Sequence, residues 1–90
     1  MIYCVEDDNS IRELMIYALS SAGFSAIGFC DRKSLFKKLE EEIPQLIMLD
    51  IMLPDEDGIS ILKKLRAGRR TADVPVILAT ARGTEYDKVI

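Results

Sequence analysis

Leu46-Ile47-Met48-Leu49-Asp50 is the stretch on which the fold turns: a continuous apolar run of strand length that ends in an acid. A strand with one wet face alternates apolar and polar residues. An unbroken run suits a strand covered on both faces, as in a parallel sheet. Pro44 breaks any helix arriving before it, and Pro54 through Gly58 after it is turn chemistry.

Working toward the N-terminus, Leu35, Phe36, Leu39 and Ile43 share one helical face, with Asp31 placed to cap that helix. Phe24–Phe29 reads as a weaker strand at a sheet edge, because Ser25 and Gly28 interrupt it. Ile11, Leu14, Met15, Ala18, Leu19 and Ala22 recur at helical spacing. Ser10-Ile11-Arg12-Glu13 has a capping-box pattern at the start of that helix, and Gly23 suits its stop. Ile2–Val5 is a short β-branched and apolar run that ends abruptly in Glu6-Asp7-Asp8. Toward the C-terminus, Ile59, Leu62 and Leu65 mark a third helix ending near Gly68. Val74–Ala79 is a further apolar strand that tolerates Pro75 near its beginning, and Gly83 to Ile90 starts a fourth helix. The alternation β-α-β-α-β-α-β with short connections predicts an α/β fold: a doubly wound parallel sheet with right-handed crossovers.

Composition narrows the function. The chain has 90 residues, 49% of them hydrophobic and 30% charged, which suits one globular domain. With no His, neither a His–Cys zinc site, a Ser–His or Cys–His nucleophile pair, nor a phosphohistidine role is possible. Through Asp57 there are 12 acids and 5 bases, a balance of −7; from Gly58 onward 3 acids and 7 bases give +4. The overall −3 argues against a nucleic-acid grip by bulk charge, and the later basic residues read as solvated helix faces. No apolar run approaches a membrane span, and Met1 leads straight into strand-like residues with no leader pattern. Cys4 and Cys30 form no CxxC, so the expectation is two packed thiols in a reducing cytoplasm.

Chemistry in an open doubly wound sheet gathers at the C-terminal ends of its strands, beside the switch in strand order. Those ends are Glu6, Asp7 and Asp8, then Asp50, then Thr80. Two carboxylates about 4 Å apart repel by roughly 4 kcal/mol at an effective dielectric near 20. Three in one pocket call for a proton or a cation. A hard divalent ion such as Mg2+ fits, because it takes few carboxylates and keeps positions open for phosphate oxygens.

Val5-Glu6-Asp7, Leu49-Asp50-Ile51-Met52-Leu53-Pro54 followed by Asp57-Gly58, and Thr80-Ala81 together resemble the receiver domain of two-component response regulators. That family shows an acidic pair after strand 1, a phosphorylated Asp ending strand 3, Thr or Ser ending strand 4 and Lys ending strand 5. The resemblance covers residues 1–90 and implies the flavodoxin-like receiver fold, with strand order 2-1-3-4. It implies that Asp50 is the phosphoacceptor and that Thr80 gives its hydroxyl to a phosphoryl oxygen. Asp7 would bind Mg2+ directly, Glu6 would act mainly through a metal-bound water, and the Met52 carbonyl would supply a further ligand. Asp8, one step past the pair, caps or precedes the first helix. The implied partner is a sensor histidine kinase and the implied role a regulatory phosphoacceptor, not a turnover enzyme.

The family's fifth strand, its terminal Lys and its fifth helix are missing here, and Lys88, in the fourth-helix segment, does not replace that Lys. The expectation is a receiver domain incomplete at its C-terminus, with Val74–Ala79 as an open edge inviting strand pairing or a homodimer. Thr80-Ala81-Arg82-Gly83-Thr84-Glu85-Tyr86-Asp87 looks like regulators with a winged-helix output domain. DNA binding and transcription regulation would then belong to a domain outside this sequence. Three other readings compete. An aspartyl-phosphate hydrolase places a second Asp two residues after its nucleophile, where this chain has Met52. A nucleotide or flavin domain needs a Gly- or hydroxyl-rich loop where Glu6-Asp7-Asp8 stands. A receiver-like interaction module not competent for phosphorylation is disfavoured by the acidic pair, Asp50 and Thr80, and kept open by the missing Lys.

Overall fold

In the computed structural model of the chain, residues 1–51, 53, 57–79, 88 and 89 are described. The strands are β1 (Ile2–Val5), β2 (Ala26–Phe29), β3 (Leu46–Asp50), β4 (Val76–Ala79) and β5 (Lys88–Val89), and the helices are α1 (Asn9–Ser21), α2 (Arg32–Glu41) and α3 (Gly58–Ala67). The sheet order is β2-β1-β3-β4-β5. Its first four strands run parallel, as the apolar runs and short crossovers predict, and β2 does lie at an edge. Among the described residues no helix is long and apolar enough to cross a membrane.

Each helix starts on an aspartate. Asp8, Asp31 and Asp57 accept from the amides of Ile11, Ser34 and Ser60 at 3.0, 2.9 and 2.8 Å. A short carboxylate just outside the first turn satisfies an orphan N–H and faces the positive end of the helix dipole. The Ser10 capping box is therefore displaced: Asp8 takes the cap and Ser10 lies inside α1. At the other end of α1 the chain turns on Gly23 at φ 95, where the amides of Gly23 and Phe24 donate to the carbonyls of Ser20 and Leu19. This paired closure needs a left-handed residue, which Gly supplies without Cβ strain. It consumes the Phe24 amide, so β2 begins at Ala26, later than the sequence suggests.

One sheet face is sealed. Tyr3 and Val5 of β1, Ile47 and Leu49 of β3, and Val76 and Leu78 of β4 join Leu35 and Leu39 of α2 and Ile61, Leu62 and Leu65 of α3 in a continuous core. Fully burying an aliphatic side chain of this size contributes about 1.5–3 kcal/mol. Tyr3 sets its ring edge-on to Phe29 at 5.1 Å and donates its hydroxyl to the Glu42 carbonyl at 2.8 Å, closing the end of α2. The opposite face carries α1, which has no fully buried residue and exposes Leu14 and Tyr17. Of the stripe that the spacing suggests, Ile11, Met15 and Leu19 are half-buried, while Leu14, Ala18 and Ala22 are exposed.

Two further expectations change. Lys88 and Val89 form an antiparallel strand on Ile77 and Leu78 in place of the fourth helix predicted there. Unpaired backbone groups along β4 find partners in the same chain, so over that stretch the predicted open edge is covered. Of the two cysteines, both free, Cys4 is buried and Cys30 exposed. Burial pushes the Cys4 thiol up to about 11, which keeps it unreactive.

Candidate functional site

The acidic pocket follows from strand register. Val5 of β1 stands opposite Leu49 of β3, so the residues after them, Glu6 and Asp50, emerge side by side at the same end of the sheet. Asp50 in turn stands opposite Ala79 of β4. Glu6 is held in line by its amide, which donates to the Phe29 carbonyl at 2.9 Å. One carboxylate oxygen each from Glu6, Asp7 and Asp50 can come within 4.8 Å of one another. Glu6 is 4% exposed and Asp50 7%, while Asp7 faces solvent. Asp8 does not join them, since its carboxylate is committed to the α1 cap.

Burial pushes the Glu6 carboxyl up to about 7. Asp7 and Asp50 add to the rise, and the Asp8 amide, donating to Glu6 Oε2 at 3.0 Å, opposes it. Three carboxylates this close, two of them buried, fit a hard divalent cation, which would favour the charged form of Glu6. A stability signature follows. Glu6 ionises near 4.5 in the unfolded chain but near 7 in the folded one, so the folded state binds the proton more tightly. The metal-free chain is therefore expected to lose stability as pH rises from about 4.5 through 7 and to remain at the lower value above that. The loss is about 1–2 kcal/mol after allowing for solvent at the pocket mouth. Urea unfolding in a chelator at pH 5 and pH 8 measures it, and a flat profile would contradict the buried carboxyl.

The floor behind Asp50 is built by α3. The Gly58 amide donates to the Ile51 carbonyl at 2.8 Å, which draws the first turn of the helix against the end of β3. A Cβ at position 58 would lie 2.8 Å from the Asp50 carbonyl oxygen and 2.9 Å from Ile51 Cα. Asp57 caps α3 immediately before that contact, a role hidden in sequence because Pro54 through Gly58 reads as a turn.

Of the residues proposed from sequence, Glu6, Asp7 and Asp50 are brought together. Met52, Thr80 and residues 54–56 of the turn lie outside the described residues. Arg12 is the neighbour that sequence reasoning missed: its Nη1 donates to the Glu6 carbonyl at 2.7 Å. The available signal was a cation on the half-buried side of α1, one turn after the acidic loop.

The chain matches a known family along nearly its whole length. The family model described as "Response regulator receiver domain" matches residues 2–90. The phosphate regulon transcriptional regulatory protein PhoB of Escherichia coli is 42% identical over 88 residues, covering 98% of this chain. This chain spans 38% of that relative's length. Among solved structures, the N-terminal domain of a response regulator receiver protein from Methanoculleus marisnigri superimposes with a TM-score of 0.84 at 28% identity, covering 90% of this chain and 66% of that one. Response regulator protein TrrA from Thermotoga maritima, solved in complex with Mg(2+)-BeF, gives a TM-score of 0.81 at 28% identity, covering 91% and 70%.

Proposed function

Since the chain belongs to the response regulator receiver domain family, we propose that it is a phosphorylation-dependent signalling switch in which Asp50 accepts a phosphoryl group at an Mg2+ site. The observation that carries this reading is the convergence of the Glu6, Asp7 and Asp50 carboxylates within 4.8 Å at the strand ends. Asp7, Asp50 and the Met52 carbonyl would hold Mg2+, with Glu6 completing the acidic set. When bound, Mg2+ offsets the negative charge that accumulates as a phosphoryl group approaches three carboxylates.

Asp50 then acts as nucleophile. One of its carboxylate oxygens attacks phosphorus, the bond from phosphorus to the donor breaks, and the donor leaves with that electron pair. The product is an acyl phosphate at the end of β3, carrying more negative charge and new acceptor oxygens. Thr80, next in sequence after β4, donates its hydroxyl to one of those oxygens, and the phosphorylated state shifts an existing conformational equilibrium. Nothing is turned over: where a phosphohydrolase would keep its acid/base, this chain has Met52.

The donor in the cell is a sensor histidine kinase, and the setting is the cytoplasm. The Escherichia coli relative is named a transcriptional regulatory protein, which supports transcription regulation through a DNA-binding output domain in a longer parent. To test the core of the proposal, the chain is incubated with acetyl phosphate and read by intact mass. One phosphoryl mass is expected with Mg2+ and none with EDTA. Equal labelling under the two conditions would reject an Mg2+-dependent acceptor.

A further inference from the structure

We propose that Arg12 is a positioning residue for the acidic loop, and that Gly28 is glycine so that Arg12 can reach it. The inference rests on the Mg2+ reading of Glu6, Asp7 and Asp50 but concerns a different pair of residues, on α1 and β2.

Three polar atoms of Glu6 are held. Its amide donates to Phe29 at 2.9 Å, its Oε2 accepts from the Asp8 amide at 3.0 Å, and its carbonyl accepts from Arg12 Nη1 at 2.7 Å. Arg12 Nη2 donates at the same time to Asn9 Oδ1, so the planar fork bridges the end of β1 and the first turn of α1. Without the guanidinium, the Glu6 carbonyl would lose this bond, and the loop that aims Glu6 and Asp7 would lose one of its supports.

The stem of Arg12 reaches that position across β2. A Cβ on Gly28 would lie 2.8 Å from both Cγ and Cδ of Arg12 and 2.7 Å from Ile16 Cδ1, so any side chain there displaces the arginine. In the register of the sheet, Gly28 stands opposite Cys4 of β1, which places the bare backbone directly below the path from α1 to the strand end. The glycine that weakens β2 as a strand thus makes room for the loop's support. Groups that orient metal ligands from behind commonly change metal affinity by about 10-fold or more when removed.

The test uses Arg12→Met, which keeps an unbranched stem over Gly28 and removes the fork, together with Gly28→Ala, Arg12→Ala and the Gly28→Ala/Arg12→Ala pair. Backbone amide spectra are recorded without metal and during titration with MgCl2, and thermal midpoints are measured in EDTA. Arg12→Met is expected to move the metal-free amides of Glu6, Asp7 and Asp8 and to weaken Mg2+ binding about 10-fold, with little change in midpoint. Gly28→Ala is expected to displace the same amides when Arg12 is present and to leave them unmoved in the Arg12→Ala background, although Ile16 shifts in both. If Arg12→Met leaves those amides in place, or if Gly28→Ala displaces them equally in the two backgrounds, the proposal is overturned. Absence of saturable Mg2+ shifts in the unsubstituted chain would instead reject the metal reading, and the metal-free spectra would still decide the role of Arg12.

Discussion

Replacing Asp50 with Asn is expected to abolish phosphoryl uptake from acetyl phosphate, leaving the intact mass of the protein unchanged where the unsubstituted chain gains one phosphoryl group. The amide is nearly the same size as the carboxylate and keeps a carbonyl oxygen, so β3 and its pairing with Ala79 should persist. What it lacks is the anionic oxygen that forms the new bond. The loss should therefore be complete and not graded. The same change removes one of the charges that raise Glu6 from about 4.5 toward 7. Asp50→Asn should thus unfold at a higher temperature than the unsubstituted chain in EDTA at pH 8, with a shallower dependence on pH. A variant that loses phosphorylation and gains metal-free stability bears the signature of a site strained for its function. Labelling of Asp50→Asn at the level of the unsubstituted chain would remove Asp50 from the acceptor role.

Gly58→Ala is expected to destabilise the fold by about 1–3 kcal/mol and to disable the pocket, although position 58 contributes no side-chain chemistry. The added methyl would sit 2.8 Å from the Asp50 carbonyl oxygen and 2.9 Å from Ile51 Cα, contacts with backbone that cannot rotate away. Relief requires α3 to move off the end of β3, which lengthens the 2.8 Å bond from the Gly58 amide to the Ile51 carbonyl and lifts Ile61, Leu62 and Leu65 out of register with the core. Urea unfolding gives the stability change, and acetyl phosphate labelling reports the pocket. Gly23→Ala is the control. There the Cβ meets nothing within 4 Å, and the cost comes from φ 95 alone, about 1 kcal/mol, with labelling preserved. Equal behaviour of the two alanine variants would contradict the close approach at Gly58.

The pocket was legible in sequence because each strand announces its own end. Apolar runs stop abruptly at Glu6-Asp7 and at Asp50, and the parallel sheet those runs imply puts the stops at one edge. The strand order itself came with the family resemblance, since no pattern of hydrophobicity distinguishes 2-1-3-4 from its alternatives. Features that depend on contacts between distant segments stayed hidden. β5 is two residues long, too short for any periodicity to appear. The exposure of Cys30 and Leu14 is likewise set by the tertiary arrangement and not by their local pattern. The fit of Arg12 over Gly28 joins residues from different elements whose separate signals, a capping pattern and a strand interruption, point elsewhere.

The two sheet faces are unequally covered along this chain. Opening free energy in a small domain follows buried apolar contact, and here that contact is concentrated in β1, β3 and the α2–α3 layer. α1 has no side chain fully enclosed. Yet Asp8, which caps α1, and Arg12 within it both bond to Glu6, while Asp50 ends β3 in the buried part of the sheet. The two halves of the pocket are thus mounted on elements of unequal burial: the acidic pair leans on a half-buried helix, and the acceptor ends a strand enclosed in the core.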